Sequence, residues 1–218
     1  MKKEKILKVI LLVILILVII FLVCTVRKML ILKSLNEKVS QYIKSDNYYE
    51  KITNNIGTIT EYYCKGDNAV VHLNNTYDGK TRKLSNYFKG KQCNTYIESS
   101  GDKIARLNSN GVPSKIMIIN SFDTNNDLWL LFLMSARAHI KIVEYNNREC
   151  YIISIDKNNE VYIEKDTGLR VKAREGKTTN ETGKEIPLEV EYYYEFNNVN
   201  DEIFIEPDIS QYRIEEDT

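Results

Sequence analysis

Three groupings of residues have types and spacings that could do chemistry. Asp123, Asn125 and Asp127 in DTNND match the first three ligand positions of a calcium loop, where alternate oxygen-bearing side chains converge on a hard cation. The pattern then fails, with Leu128 where the loop needs its turning glycine and Met134 where it needs a bidentate glutamate. His72 and His139 have no cysteine at zinc-ligand spacing and no Cys-x-x-Cys occurs, so no zinc site is expected. Glu191 and Glu195 share one face of a strand-like run. At about 3.3 Å per residue they lie about 13 Å apart, beyond the separation of a glycosidase pair. No Gly-x-Ser-x-Gly, His-Glu-x-x-His, P-loop or dinucleotide fingerprint is found, and no context marks a Cys-His pair as a nucleophile and base. No catalytic residue, metal or cofactor is assigned, and the chain is not read as an enzyme.

With chemistry set aside, the solvent of each segment becomes the informative property. Val9 to Val26, VILLVILILVIIFLVCTV, holds no charge, and adding Ile6 and Leu7 gives a stretch of roughly 32 Å as a helix, the thickness of a bilayer core. Leu22, Val23 and Cys24 lack the small residue expected before a cleaved or lipidated site, and the run exceeds an ordinary signal core. An uncleaved anchor over residues 9–26 is therefore expected. Lysines and arginines flank it on both sides, so the positive-inside rule gives no orientation. The short tail, residues 1–8, resembles a signal-anchor that stays in the cytoplasm. The expectation is a single-pass protein of the cell membrane with its C-terminal domain extracytoplasmic.

Beyond residue 28 the chain carries 24 basic and 29 acidic residues, and no basic cluster interleaves with aromatics, which argues against nucleic acid as a partner. The remaining length suits one domain, residues 29–212, followed by an acidic C-terminal tail, residues 213–218. Cys64, Cys93 and Cys150 lie outside the span; their pairing is open, and Cys150 in ECYIISI reads as a small buried hydrophobe.

Leu32, Leu35, Val39, Tyr42 and Ile43 recur at helical spacing, and Ser45-Asp46-Asn47 ends that helix, which runs on from the membrane segment without a linker. From Tyr48 the pattern changes to short strands parted by turn residues: YYEKIT, TITEYY, AVVHL, RKLSNYF, CNTYIES and KIARL, then the loop Asn108 to Ser114. A second series reads IKIVEY, ECYIISI, VYIEK, LRVKARE and LEVEYYYEF, with turns at Asn146-Asn147 and Asp166-Thr167-Gly168. In the last run Leu188, Val190, Tyr192, Tyr194 and Phe196 alternate with Glu189, Glu191, Tyr193 and Glu195, giving one apolar and one wet face.

Between the two series stands DLWLLFLMSARAHI, Asp127 to Ile140, with seven successive apolar residues. It reads as a helix capped by Asp123 or Asn125, with Asp127 in its first turn and Arg137 in its last. It is too short to cross a bilayer and apolar in every direction, so it is expected to be buried. In the acidic tail Pro207 ends pairing, and Ile209 and Tyr212 are expected to dock on the sheet or leading helix.

This order of a leading helix, a strand meander, intervening helices and a second meander containing NRECYIISIDKNNEVYIEKDTGLRVKAREG, closed by YYYEFNNVNDEIFIEPDISQY, resembles the lipoprotein-carrier-like (LolA-like) superfamily. That superfamily has relatives in cell-envelope stress sensing and among mycobacterial lipid-binding lipoproteins. The resemblance covers roughly residues 30 to 212. It implies an α+β fold in which a curved antiparallel half-open β-barrel, with helices on its concave face, follows the transmembrane helix. It also implies an apolar cavity for acyl chains, placing Trp129, Leu130, Phe132, Leu133 and Met134 toward the sheet as lining or lid, together with Tyr192, Tyr194 and Phe196. An uncleaved anchor departs from a soluble carrier and removes shuttling. The expected function is an anchored extracytoplasmic binding domain for a lipid or other apolar ligand. The alternative is a cell-envelope module with a filled core that recognises a protein or senses stress; an exported hydrolase comes third.

Overall fold

The chain begins as a single helix, α1 (Lys2–Ile43), which carries both the apolar run and the amphipathic stripe without interruption in this computed structural model. The structure describes residues 2–77, 79–111, 127–154, 156, 158–180 and 183–215. Over its most apolar window α1 has a mean hydropathy of 3.7, and only 6% of that window is buried, so this helix is long and apolar enough to cross a membrane. Further along, one stripe turns inward: Thr25, Leu32, Leu35 and Val39 are buried, at the three- and four-residue spacing of a helix face. The helix ends where Ser45 donates its backbone N–H to Tyr42, and its hydroxyl bonds the Asn47 carbonyl.

The first meander follows: β1 (Asn47–Asn54), β2 (Thr58–Lys65), β3 (Asn68–Tyr77), β4 (Lys80–Lys89), β5 (Gln92–Ser99) and β6 (Asp102–Asn110). Next come α2 (Leu128–Arg137) and the second meander, β7 (His139–Tyr145), β8 (Arg148–Ser154), β9 (Asn159–Glu164), β10 (Arg170–Thr179) and β11 (Glu185–Phe196). Two 3₁₀ turns, Asp201–Phe204 and Ile209–Gln211, lead to β12 (Arg213–Ile214). Each strand run expected from alternation is found. The turn Asn146-Asn147 has positive φ at both residues, 51° and 60°, as a tight hairpin requires.

The described strands form one sheet in the order β12-β6-β5-β4-β3-β2-β1-β11-β10-β9-β8-β7. All its pairs are antiparallel except β12 with β6, and the sheet is open at its ends. The two meanders join through β1 and β11, in register from Tyr48 opposite Phe196 to Asn54 opposite Val190. Toward the C-terminus, β12 pairs with β6 and the Glu215 N–H bonds the Ala105 carbonyl, within the acidic tail, residues 213–218.

The cap of α2 is Asp127 itself, whose carboxylate accepts the N–H groups of Trp129 and Leu130 at 2.9 and 3.1 Å. Asp123 and Asn125, the expected caps, lie outside the described residues. Arg137 stands in the last turn as anticipated.

Both helices pack on the β7–β11 part of one sheet face. Leu32 and Leu35 of α1 and Leu131 and Ala138 beside them share a core with Ile153 and Ile163 of the sheet, joined by Met29, Met134 and Ile140. Val39 continues onto Leu169, with Tyr42, Tyr194 and Phe196 around it. The seat for α1 depends on Gly168, whose φ of +74° suits the tight turn after β9 and whose missing side chain lets the helix backbone approach. A methyl at this position would stand 2.5 Å from the Leu35 carbonyl oxygen and 3.0 Å from the Val39 nitrogen, both backbone atoms. Gly168→Ala is expected to cost about 2–4 kcal/mol, from backbone strain plus displacement of α1. Gly66→Ala, with φ +60° but open space around it, should cost only about 1 kcal/mol. Unfolding of the full chain in detergent micelles by heat or denaturant checks the difference.

Candidate functional site

Strand register resolves the helix-bearing face into three rows that cross from the seam into the first meander. The outermost is apolar: Tyr192, Ile52, Thr60, Leu73, Leu84, Ile97 and Ile104 stand opposite one another in turn. The central row is Tyr194, Glu50, Tyr62, Val71, Asn86, Thr95 and Arg106. The third, Phe196, Tyr48, Cys64, Ala69, Phe88 and Cys93, is tightly packed, with Tyr48, Cys64, Ala69 and Cys93 all buried.

Glu50 is the anomaly in this arrangement. It is 0% exposed, and neither carboxylate oxygen has a hydrogen-bond partner among the described residues. The Tyr194 hydroxyl and the Arg170 guanidinium both favour its charge, Tyr194 from beyond proper hydrogen-bond geometry, and neither offsets the loss of water. Burial therefore pushes the Glu50 carboxyl up from 4.5 to about 7. Burial and the neighbouring Glu50 also raise Tyr194 well above the ordinary phenol range. Arg170 is held by the Tyr192 hydroxyl at 3.1 Å, lies over the Tyr192 ring at 5.3 Å, and reaches Glu175 at 3.4 Å. A carboxyl that stays protonated near neutrality can donate a hydrogen bond, so this cluster can both offer and accept protons at the edge of an apolar row.

The residues singled out from the sequence divide between two places. Tyr192, Tyr194 and Phe196 face the helix side as their alternation required, Tyr194 and Phe196 packing under Val39 and Tyr42 and Tyr192 beside Arg170. Met134 joins the α1–α2 core and Phe132 is half-buried, its ring stacked 5.8 Å from Trp129. Trp129, Leu130 and Leu133 point away from the sheet, with exposures of 67%, 45% and 40%. The expectation that the whole helix is buried thus gives way to a helix with one buried stripe, Leu131 and Ser135, pressed on α1. Leu32 and Leu35 already fill much of the space above β8 and β9, so α2 lies alongside α1.

Glu50 was the residue sequence reasoning passed over. In YYEKIT it falls in phase with Tyr48 and Ile52, an acid on the apolar beat of a strand, and that phase is the signal. Cys64 and Cys93 share a row but stand three strand spacings, about 14 Å, apart, too far to bridge. Cys150 is a fully buried thiol whose ionisation burial opposes. Among the described residues no three or more His, Cys, Asp or Glu side chains gather as a metal site would require.

The opposite face is organised by ring contacts. Tyr193, Tyr49, Tyr63, His72, Tyr87, Tyr96 and Tyr212 touch in succession across the sheet, at centroid distances from 4.7 to 6.1 Å. Carboxylates tie down the hydroxyls: Glu61 accepts from Tyr49, Glu206 from Tyr96 and Glu98 from Tyr212. Glu206 and Tyr212 belong to the C-terminal segment, so the ladder binds that segment to β3–β6. Tyr212 docks as anticipated, whereas Ile209 remains 38% exposed.

The Glu50 environment carries a pH signature. Folding raises this carboxyl from 4.5 to about 7, so the folded chain holds a proton that the unfolded chain releases between those values. Its stabilising state is fully present below the lower value and is lost as pH rises through the upper one, by roughly 3 kcal/mol in total. Melting of the full chain in micelles should therefore fall between about pH 5 and about pH 8, and Glu50→Gln should remove most of that fall. Equal slopes in the two proteins would show that Glu50 does not titrate in this way.

No family model matches the chain, and no curated protein matches it. Among solved structures the chain is similar to an uncharacterized conserved protein from Thermus thermophilus, with a TM-score of 0.41 and 9% identity over 85% of this chain and 98% of that chain.

Proposed function

We propose that this chain is a membrane-anchored extracytoplasmic binding domain for an amphipathic lipid or similar apolar ligand. α1 crosses the membrane once with residues 1–8 in the cytoplasm. The domain receives the ligand on the helix-bearing face of β1–β6, its apolar part along Leu73, Leu84, Ile97 and Ile104 and its polar end at Glu50. The observation that carries this reading is the fully buried Glu50 carboxyl, without a hydrogen-bond partner among the described residues, set beside that apolar row.

Three physical considerations support it. Open sheets of more than about ten strands commonly curl, and a twist of about 20–25° per strand pair accumulates over twelve strands; this reading takes the helix face as the inside of a half-open barrel. An apolar row on the inner side of such a barrel is the usual wall of an acyl-chain site, and a few convergent polar groups orient the ligand. A ligand carboxylate or hydroxyl that takes the Glu50 proton as a hydrogen bond would satisfy a group otherwise costly to bury. The resemblance to lipoprotein-carrier-like domains leads in the same direction. In this arrangement Tyr192 and Tyr194 border the polar end.

A second reading, recognition of another envelope protein, is favoured by a polar hollow of about 730 Å³ on the opposite face, lined by Lys83, Glu98, Asp102, Lys103 and Arg213 among others. The two readings are separated by labelling the full chain in membranes with a photoactivatable fatty acid. Ligand binding predicts crosslinks within residues 68–104, reduced at least about tenfold by Leu84→Glu, since burying a charge on the row costs more than 1.4 kcal/mol. Crosslinks confined to α1 and α2, unchanged by that substitution, would sink the ligand reading.

A further inference from the structure

The outward face of α2 presents Leu128, Trp129, Leu130 and Leu133 at exposures of 62%, 67%, 45% and 40%. Its position decides what covers that face. The buried side of α2 packs on Leu32 and Leu35 of α1, and the Lys28 ammonium donates to the Ala138 carbonyl at 2.7 Å, at the C-terminal end of α2. Lys28 follows the uncharged run 9–26 by two residues. At about 1.5 Å per residue, Lys28 and Leu32 lie about 3 and 9 Å beyond that run along α1. The headgroup layer extends about 5–7 Å beyond each side of the hydrocarbon core. The Lys28 contact therefore holds the C-terminal end of α2 within the headgroup layer, and the contacts with Leu32 and Leu35, about 9 and 13 Å beyond the run, hold its body just outside that layer. Leu30, on the same stretch of α1, is 59% exposed and adds to the apolar surface at that level.

We infer that α2 is an interfacial helix whose Leu128, Trp129, Leu130 and Leu133 face is covered by the lipid of the membrane that α1 spans. The inference rests on the anchor half of the proposed function and is independent of any ligand on β1–β6. The occupant follows from proximity: α2 packs on the stretch of α1 that directly follows its apolar run, where Leu30 is also exposed, and both helices belong to one packed unit. Tryptophan is the side chain most suited to this depth, with an apolar ring and one N–H for the headgroup layer. A short helix carrying leucines and a tryptophan on one side lies in the interface plane and fixes the tilt of whatever is attached to it. Here that attachment is the sheet, so the face fixes the domain's orientation on the bilayer as well as its distance.

Trp129 is the only tryptophan in the chain, so its emission reports on this face without any substitution. The full chain is reconstituted into phosphatidylcholine vesicles that contain lipid brominated either near the headgroup end or near the methyl end of the acyl chain. Flotation of the protein with the vesicles tests the anchor separately. The expected result is flotation, about twofold stronger quenching by the shallow bromine than by the deep one, and poor access of aqueous acrylamide. Flotation with free acrylamide access and no quenching by either lipid overturns the inference and leaves the anchor intact. Flotation with Trp129 shielded from acrylamide and both lipids also overturns it, because protein then covers the face. Loss of flotation overturns the anchor, and the inference with it.

Discussion

One stripe of α1 has to be buried by whatever follows it, and the rest of the molecule is arranged around that requirement. The helix passes without a break from a stretch exposed on every side to a stretch with Leu32, Leu35 and Val39 inside. Each of those side chains contributes about 1.5–3 kcal/mol when buried, which is enough to hold the rod against the sheet. No flexible linker then separates the apolar segment from the domain. The Gly168 turn and the bond from the Lys38 ammonium to the Lys165 carbonyl fix the rod further, by bringing backbone to backbone at one point and tying the helix to the same turn.

The second organising contact is the β1–β11 seam. It brings together the start and end of the folded domain, so neither meander can complete its sheet until the other has been made. Glu50 lies on this seam beside Tyr194, where a protonated side chain causes least disturbance and an ionised one the most. The two faces are covered in a staggered way, with helices over β7–β11 on one side and the C-terminal segment over β3–β6 on the other. The aromatic ladder holds that second cover through hydroxyl–carboxylate bonds at the strip where the sheet would otherwise be wet.

Much of this was legible in the sequence because it depends on local periodicity. LEVEYYYEF alternates and so declares its faces; Leu32, Leu35 and Val39 recur at helical spacing; Asn146-Asn147 marks its own hairpin. What was not legible depends on partners distant in the chain. The two residues of β12 are too few to alternate, and only the β6 edge makes them a strand. The cap of α2 fell on Asp127 because its carboxylate reaches two backbone N–H groups at once, a matter of geometry that residue type alone leaves open. Glu50 was visible as an acid on the apolar beat of its strand, but its cost becomes apparent only with β10 and β11 in place, which bring Arg170 and Tyr194 beside it.

The seven apolar residues of α2 illustrate how periodicity can mislead. A helix apolar on all sides is read as buried in protein because water is assumed to be the only other solvent. That assumption fails beside a helix long and apolar enough to cross a membrane, where a second apolar medium would lie within reach. The sheet row from Leu73 to Ile104 and the α2 face from Leu128 to Leu133 are then two apolar surfaces with different fates. The row lies on the helix-bearing face, next to a buried acid, and on the proposed function it takes one oriented molecule. Of Leu128, Trp129, Leu130 and Leu133 only Trp129, through its indole, carries a polar side-chain group, and the helix packs on an apolar rod, so by the inference above this α2 face suits a medium that supplies many equivalent molecules. The presence or absence of an orienting polar group separates a binding site from a resting surface, and on the proposed function that group is Glu50.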